Sequence, residues 1–234
     1  MIDRPMRALL SLILLAAACL LPANVAAQGN AAIQRQVDEA VRAHLSRQAA
    51  ADLADRNNRV AARLAALTRA PGSPVLGNPK GDVTIVAFFD YACPYCRVTE
   101  PRLMELVRRD GRIRLVMKEF PILTPASLTA ARMALAAARQ GKYEAFHRAL
   151  MQMPGQLNAA DMEALARSQG LDMARLRRDM TGPDVSDELI ANFNLARGIR
   201  AFQTPTYIVG GRVLTQDSEQ IDFAREVAAA RRAR

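Results

Sequence analysis

The 234-residue sequence is sparing with the side chains that bind metals and build disulfide scaffolds: it has three cysteines and two histidines, His44 and His147. Structural zinc needs four ligands, and each histidine stands alone in a helical pattern, where a surface or packing role is the ordinary one. Three cysteines are too few for a framework of several bridges spread along the chain. There are no internal repeats and no basic motif rich in aromatics, so the net charge of +9 does not point to nucleic acid. The lysines and arginines are scattered through helical segments, as on a solvated face. The apolar run near the N-terminus, Ala8–Leu21, has 14 residues, short of the roughly 20 needed to cross a bilayer as a permanent helix.

That run is informative in another way. Arg4 and Arg7 precede it, and Val25-Ala26-Ala27 places small residues where a signal peptidase inspects the chain. A basic head, a short apolar run and a small-residue exit describe a secretory signal over residues 1–27. The alternative is an uncleaved anchor. Cys19 offers a further one, lipidation, because Ala16-Ala17-Ala18 precede it, although the large aliphatic residue three positions earlier is missing. Cleavage after Ala27 removes Arg4, Arg7 and Asp3, lowers the net charge by one, and leaves two cysteines, Cys93 and Cys96, in a chain expected in the periplasm.

Residues 28–70 read as an N-terminal helical segment, with neither Gly nor Pro between Ala31 and Arg69. Ile33, Val37, Val41 and Leu45, then Val60, Leu64 and Leu67, make a stripe too narrow for a core of its own. Such a seam suits self-association, which makes residues 31–69 a candidate oligomerisation stalk; the alternative is a helix folded back on its own domain. Pro71-Gly72-Ser73-Pro74 and Gly77-Asn78-Pro79 mark a linker over 71–81. Val83–Phe89 predicts a strand buried on both faces, Ile113–Phe120 a second. A helical block of about 125–198 follows. Thr206–Val209 and Arg212–Thr215 form a hairpin around Gly210-Gly211, and a final helix capped by Asp217 or Ser218 reaches the basic tail.

The chemistry concentrates at Cys93-Pro94-Tyr95-Cys96, directly after the first strand. Pro94 fits the first turn of a helix, where its missing N–H costs nothing. Free N–H groups and the positive end of the helix dipole then face the Cys93 sulfur and favour thiolate over thiol. A lower pKa supplies attacking thiolate and makes the sulfur a better leaving group. Cys96, nearly a turn deeper, is placed to attack a mixed disulfide.

The stretch Phe88-Phe89-Asp90-Tyr91-Ala92-Cys93-Pro94-Tyr95-Cys96, with Pro101 five residues after the second cysteine, resembles the thioredoxin superfamily, in particular its periplasmic DsbA-like members. Lys118–Leu123 and Gly141–His147 are similar to segments of that group, and the resemblance spans about residues 75–232. It implies an α/β thioredoxin-like fold over 82–232 with an inserted helical domain, and a thiol–disulfide oxidoreductase with Cys93 as nucleophile and Cys96 as resolving thiol. It also implies a cis peptide before Pro205 in Gln203-Thr204-Pro205-Thr206-Tyr207, so that Thr204 and Pro205, with Pro94 and Tyr95, contact the substrate; without the resemblance, Thr-Pro before a strand is an ordinary turn. The redox group is the Cys93–Cys96 disulfide itself, with no added cofactor and no metal. The implied partners are unfolded or misoxidised client proteins and a membrane redox partner that resets the disulfide. One departure stands out. DsbA carries an acidic residue six positions before its nucleophile, where this chain has Ala87; Asp90, Glu119 and Lys118 are candidate substitutes, although such strand-edge charges are usually solvated.

The Pro-Tyr dipeptide and Thr204 are closer to ScsC- and DsbG-type proteins than to DsbA, and lean the expectation toward isomerase or reductase. A DsbA-like dithiol oxidase is the alternative, as is copper handling of the ScsC kind, since thiolates suit Cu(I). A chaperone-like holdase would leave unexplained why both cysteines after residue 27 sit at a helix start.

Overall fold

The computed structural model describes residues 4–215 and 217–233, with side chains from residue 33 onward. The expected signal sequence and Cys19 therefore fall outside the residues whose side chains are described. Among the described residues no helix is long and apolar enough to cross a membrane. The chain divides into two compact units, Met1–Asp52 and Leu53–Arg234.

The first unit is helical, part of α1 (Arg4–Ala61). Ile33, Val37, Val41 and Leu45 recur at four-residue spacing and remain 48–61% exposed. Local bonds such as Gln34 Nε2 to Asp38 Oδ1 at 2.9 Å support the helix.

The second unit is built on a five-stranded sheet. Its strands are β1 (Val75–Gly77), β2 (Val83–Phe89), β3 (Ile113–Glu119), β4 (Thr206–Val209) and β5 (Arg212–Val213), in the order β1-β3-β2-β4-β5. β2 and β3 run parallel, joined through α3 (Pro94–Asp110); the other pairings are antiparallel. Alternation along the central strands fills two cores. Ile85, Ala87, Phe89, Leu115, Met117, Tyr207 and Val209 face one side, against α3, the helical insertion and the last helix. Val86, Phe88, Val116 and Ile208 face the other, where Val60, Leu67, Ala196 and Ile199 cover them. β2 is therefore buried on both faces, as its unbroken apolar run predicts.

The insertion comprises α4 (Pro125–Ala138), α5 (Tyr143–Met151), α6 (Ala159–Ser168), α7 (Met173–Asp179) and α8 (Pro183–Gly198). α3 stops at Gly111, whose φ of 65° closes the last turn through its N–H to Val107 O. The final helix, α9, spans Phe223–Arg232 and is capped by Asp222, whose side chain accepts from Arg225 N; Ser218–Gln220 is a separate 3-10 turn. The expected cap at Asp217 or Ser218 is thus displaced. Ile221 is buried between the two elements and holds the chain against the core.

Two segments differ from the boundaries read along the sequence. The stretch expected as a linker, 71–81, contains β1, which pairs with β3 from Val75↔Val116 to Gly77↔Arg114. The apolar stripe of 31–69 divides between Asp52 and Leu53. Beyond that point, the end of α1 and α2 (Leu64–Arg69) belong to the sheet domain: Val60 and Leu67 are fully buried there, Asn57 Oδ1 accepts from Val213 N at 2.9 Å, and Arg114 donates to Thr68 O at 2.6 Å.

Candidate active site

β2 ends at Phe89, and three further residues lead to Cys93 at the N-cap of α3. Asp90 shapes this turn: its carboxylate accepts from Ala92 N at 2.7 Å and from Ile122 N and Leu123 N at 2.9 Å. It ties the loop before the cysteines to the loop after β3. Pro94 occupies the first turn, and Cys96 N donates to Cys93 Sγ at 3.4 Å. On the far side Cys93 Sγ donates to Thr204 O at 3.3 Å. The Thr204–Pro205 peptide is cis.

The two thiols differ sharply. The hydrogen bond with Cys96 pulls the Cys93 thiol down from the ordinary range to about 6, with help from Thr204 and the N–H groups of Cys96 and Tyr95, against a smaller opposing effect of burial. Burial pushes the Cys96 thiol far up, reinforced by the neighbouring Cys93. A thiolate at Cys93 beside a protonated Cys96 is the combination that attacks a disulfide first through one sulfur and then through the other. The rate of Cys93 alkylation by iodoacetamide should therefore titrate with a midpoint near pH 6 rather than the ordinary value of about 8.5. A depressed pKa also stabilises the reduced fold above the unfolded thiol's range, and that contribution is lost as pH falls through about 6.

All six side chains singled out in the sequence lie together. Pro94 and Tyr95 are exposed, Tyr95 by 56%, Cys93 and Cys96 are buried behind them, and Thr204 and Pro205 stand across from Cys93. Tyr95, Thr204 and Pro205 line a groove of about 470 Å³ whose remaining wall comes from Gln203, Thr215 and Asp217–Gln220. The part of this wall formed by Thr215 and Asp217–Gln220 is brought in by the chain after β5, and its sequence gives no sign that it borders the cysteines.

The charges expected at strand edges are not solvated. Lys118 is fully buried on the sheet face opposite the cysteines, where Nζ donates to Ser73 Oγ at 2.5 Å and lies 3.8 Å from Glu188 Oε1; burial pulls its pKa down and Glu188 opposes that. Glu119 is enclosed on the cysteine side, accepting from Tyr91 and Tyr143 hydroxyls at 2.9 and 2.8 Å, and burial pushes its pKa well up. Of the two histidines, His44 is exposed and His147 is fully buried, with Nδ1 2.9 Å from Tyr91 Oη. Sequence reading missed Glu100 and His147 as neighbours of Cys96; the spacing of Cys96 and Glu100 on one helix face signals the first, and nothing local signals the second.

A thioredoxin-like sheet with a paired cysteine motif at the start of α3 and a helical insertion between β3 and β4 defines a class of redox proteins, and comparison narrows it. The DsbA-like thioredoxin domain model matches residues 84–228. The chain belongs to the DsbA-like thioredoxin domain family. A thioredoxin-like oxidoreductase from Silicibacter pomeroyi is 45% identical, covers 73% of this chain and 98% of its own, and superposes with a TM-score of 0.69. A linker-deletion mutant of Proteus mirabilis ScsC, 22% identical, has the same fold, with a TM-score of 0.73 over 86% of this chain and 94% of that one. Among curated proteins, a Na(+)/H(+) antiporter NhaA of Salinispora arenicola is 31% identical over 140 residues. That match takes in 59% of this chain, and the chain spans about a fifth (22%) of the antiporter's length.

Proposed function

We propose that the protein is an exported thiol–disulfide oxidoreductase that exchanges disulfides with client proteins, Cys93 acting as nucleophile and Cys96 as resolving thiol. The observation that carries this reading is the contrast between the two sulfurs. Cys93 is held as a thiolate by the Cys96 thiol, by the Thr204 side chain and by the first N–H groups of α3, beside a groove lined by Tyr95, Thr204 and Pro205; Cys96 is kept protonated one turn deeper. In this reading an extended client segment lies along Tyr95, Thr204 and Pro205, Cys93 attacks its disulfide, and Cys96 releases it. Clients are unfolded or misoxidised proteins, and a membrane redox partner resets the pair. The signal-like residues 1–27 and the family support a periplasmic place of work.

Within that activity the preferred direction is isomerase or reductase. Thr204 before Pro205 supports it, as does the exposed seam of Ile33, Val37, Val41 and Leu45, which suits assembly of several sites around shared clients. A dithiol oxidase is the second reading, favoured by the low pKa of Cys93, because a stabilised thiolate makes the disulfide easier to reduce. Copper handling would fall to the cysteine pair alone, since among the described residues no group of three or more His, Cys, Asp or Glu side chains is placed to hold a metal. Mass by light scattering, combined with reactivation of a scrambled-disulfide client with and without residues 28–52, separates the directions. An oligomer that reactivates the client and loses this on truncation is expected. A monomer that leaves scrambled client untouched while oxidising reduced client quickly would reverse the preference.

A further inference from the structure

Cys96 has a difficulty that β2 does not solve. A resolving thiol must lose its proton to attack, burial opposes that loss, and the strand position where DsbA has a carboxyl is Ala87. Behind Cys96 lies a cavity of about 10 Å³ walled by Ala87, Cys96, Glu100, His147 and Tyr207 among others. Glu100 follows Cys96 by four residues on the same face of α3, and His147 enters from α5 in the insertion. Glu100 Oε1 and His147 Nε2 are 3.6 Å apart. Both atoms are buried, and neither has a hydrogen-bond partner. Leaving two such atoms unsatisfied costs about 1–3 kcal/mol each.

The proton positions follow from the donors around them. Tyr91 and Tyr143 both donate to Glu119 Oε1. A phenol has one proton, so the Tyr91 oxygen is left to accept from His147 Nδ1 at 2.9 Å. In the tautomer with the proton on Nδ1, His147 turns Nε2 toward Glu100 and the cavity.

We propose that Glu100 and His147 form the proton relay of Cys96, an inference that rests on the resolving role assigned above. As Cys96 attacks a mixed disulfide, its S–H bond breaks and the proton passes to the pair formed by Glu100 Oε1 and His147 Nε2, directly or through one water. The cavity is at the lower size limit for a water, and among its mainly apolar walls Cys96, Glu100 and His147 bring polar side chains. The Cys96 sulfur bonds to Cys93, the bond from Cys93 to the client breaks, and the client leaves as a thiolate. When the Cys93–Cys96 disulfide is next reduced, the proton returns. The groups facing the relay are Tyr91 from the loop after β2, Tyr143 stacked on His147 at 5.5 Å, Glu119 behind both tyrosines, and Tyr207 from β4. Burial pushes the hydroxyls of all three tyrosines up, so that they stay neutral alongside it.

The test uses the whole protein with Cys93 loaded as a glutathione mixed disulfide, and follows glutathione release by stopped flow across pH. E100Q and H147Q should slow release about a hundredfold, in the range for loss of a positioned acid or base, and flatten its pH dependence, while E100D recovers part of the rate. Alkylation of Cys93 should keep its midpoint near pH 6 in every variant. Wild-type release should show a normal solvent deuterium isotope effect. Unchanged release rates and pH profiles in E100Q and H147Q overturn the relay. So does an absent isotope effect in the wild type, which needs no variant to fold. A wild-type Cys93 that alkylates no faster than an ordinary thiol would instead strike the nucleophile assignment, and the two failures are told apart by that measurement.

Discussion

Cys93→Ser should abolish thiol–disulfide exchange altogether, whereas Cys96→Ser should leave the first attack intact and accumulate covalent complexes with clients. The reason is the separation of tasks between the two sulfurs. Cys93 is the thiolate, stabilised by the Cys96 thiol and N–H groups at the start of α3 and by the Thr204 side chain, and a serine hydroxyl in its place has no comparable tendency to ionise. Cys96 is protonated and buried; a serine hydroxyl in its place can still donate to Cys93 Sγ, so capture of the client survives while the group that releases it is gone. Non-reducing gels of the two variants, pre-reduced and incubated with a disulfide-containing scrambled client, read this directly. Trapped adducts are expected for Cys96→Ser and none for Cys93→Ser. If Cys96→Ser turned over like the wild type, the assigned roles would be wrong.

Truncation should expose an equally sharp boundary. Removing residues 1–52 is expected to leave the thermal unfolding midpoint of the remainder unchanged, because the sheet domain begins at Leu53. Removing residues 1–70 takes away Val60 and Leu67, both at 0% exposure, together with the cover they give to Val86, Phe88, Val116 and Ile208. Burial of those two side chains alone contributes about 3–6 kcal/mol, out of a typical total of about 5–15. The shorter chain should be unfolded or molten at the temperatures where the longer one is native, as calorimetry or near-ultraviolet dichroism would record. Equal stability of the two truncations would show that α2 is dispensable to the fold.

Much of the architecture was legible because it is written in short-range patterns. The apolar run of β2 reads as a doubly buried strand and is one. Gly210-Gly211 announces a tight hairpin, and both residues have positive φ, 55° and 84°. What escaped depends on distant partners. β1 hides among Pro and Gly because its strand character comes from pairing with β3. Asp217, Ser218 and Asp222 offer nearly the same capping signal, and the choice of Asp222 is made by Ile221 turning into the core. Lys118 and Glu119 look like the charged end of a strand; α8 and the segment around Ser73 enclose the first, and α5 with Tyr91 encloses the second. The cysteine motif and Thr204-Pro205 could be found from the chain alone, whereas His147 could not, because it reaches Cys96 only through the folding of the insertion.

The central position of β2 has a consequence for how the site works over many cycles. The strand is hydrogen-bonded along both edges, to β3 and β4, and covered on both faces. Segments held in this way open to solvent only when the whole domain opens, while exposed turns open locally at little cost. Cys93 is anchored to the former, and the groove wall at Thr215 and Asp217–Gln220 belongs to the latter. In the proposed function, repeated making and breaking of the disulfide would need no melting of its support, and unlike client segments would be accommodated at the wall that opens at least cost.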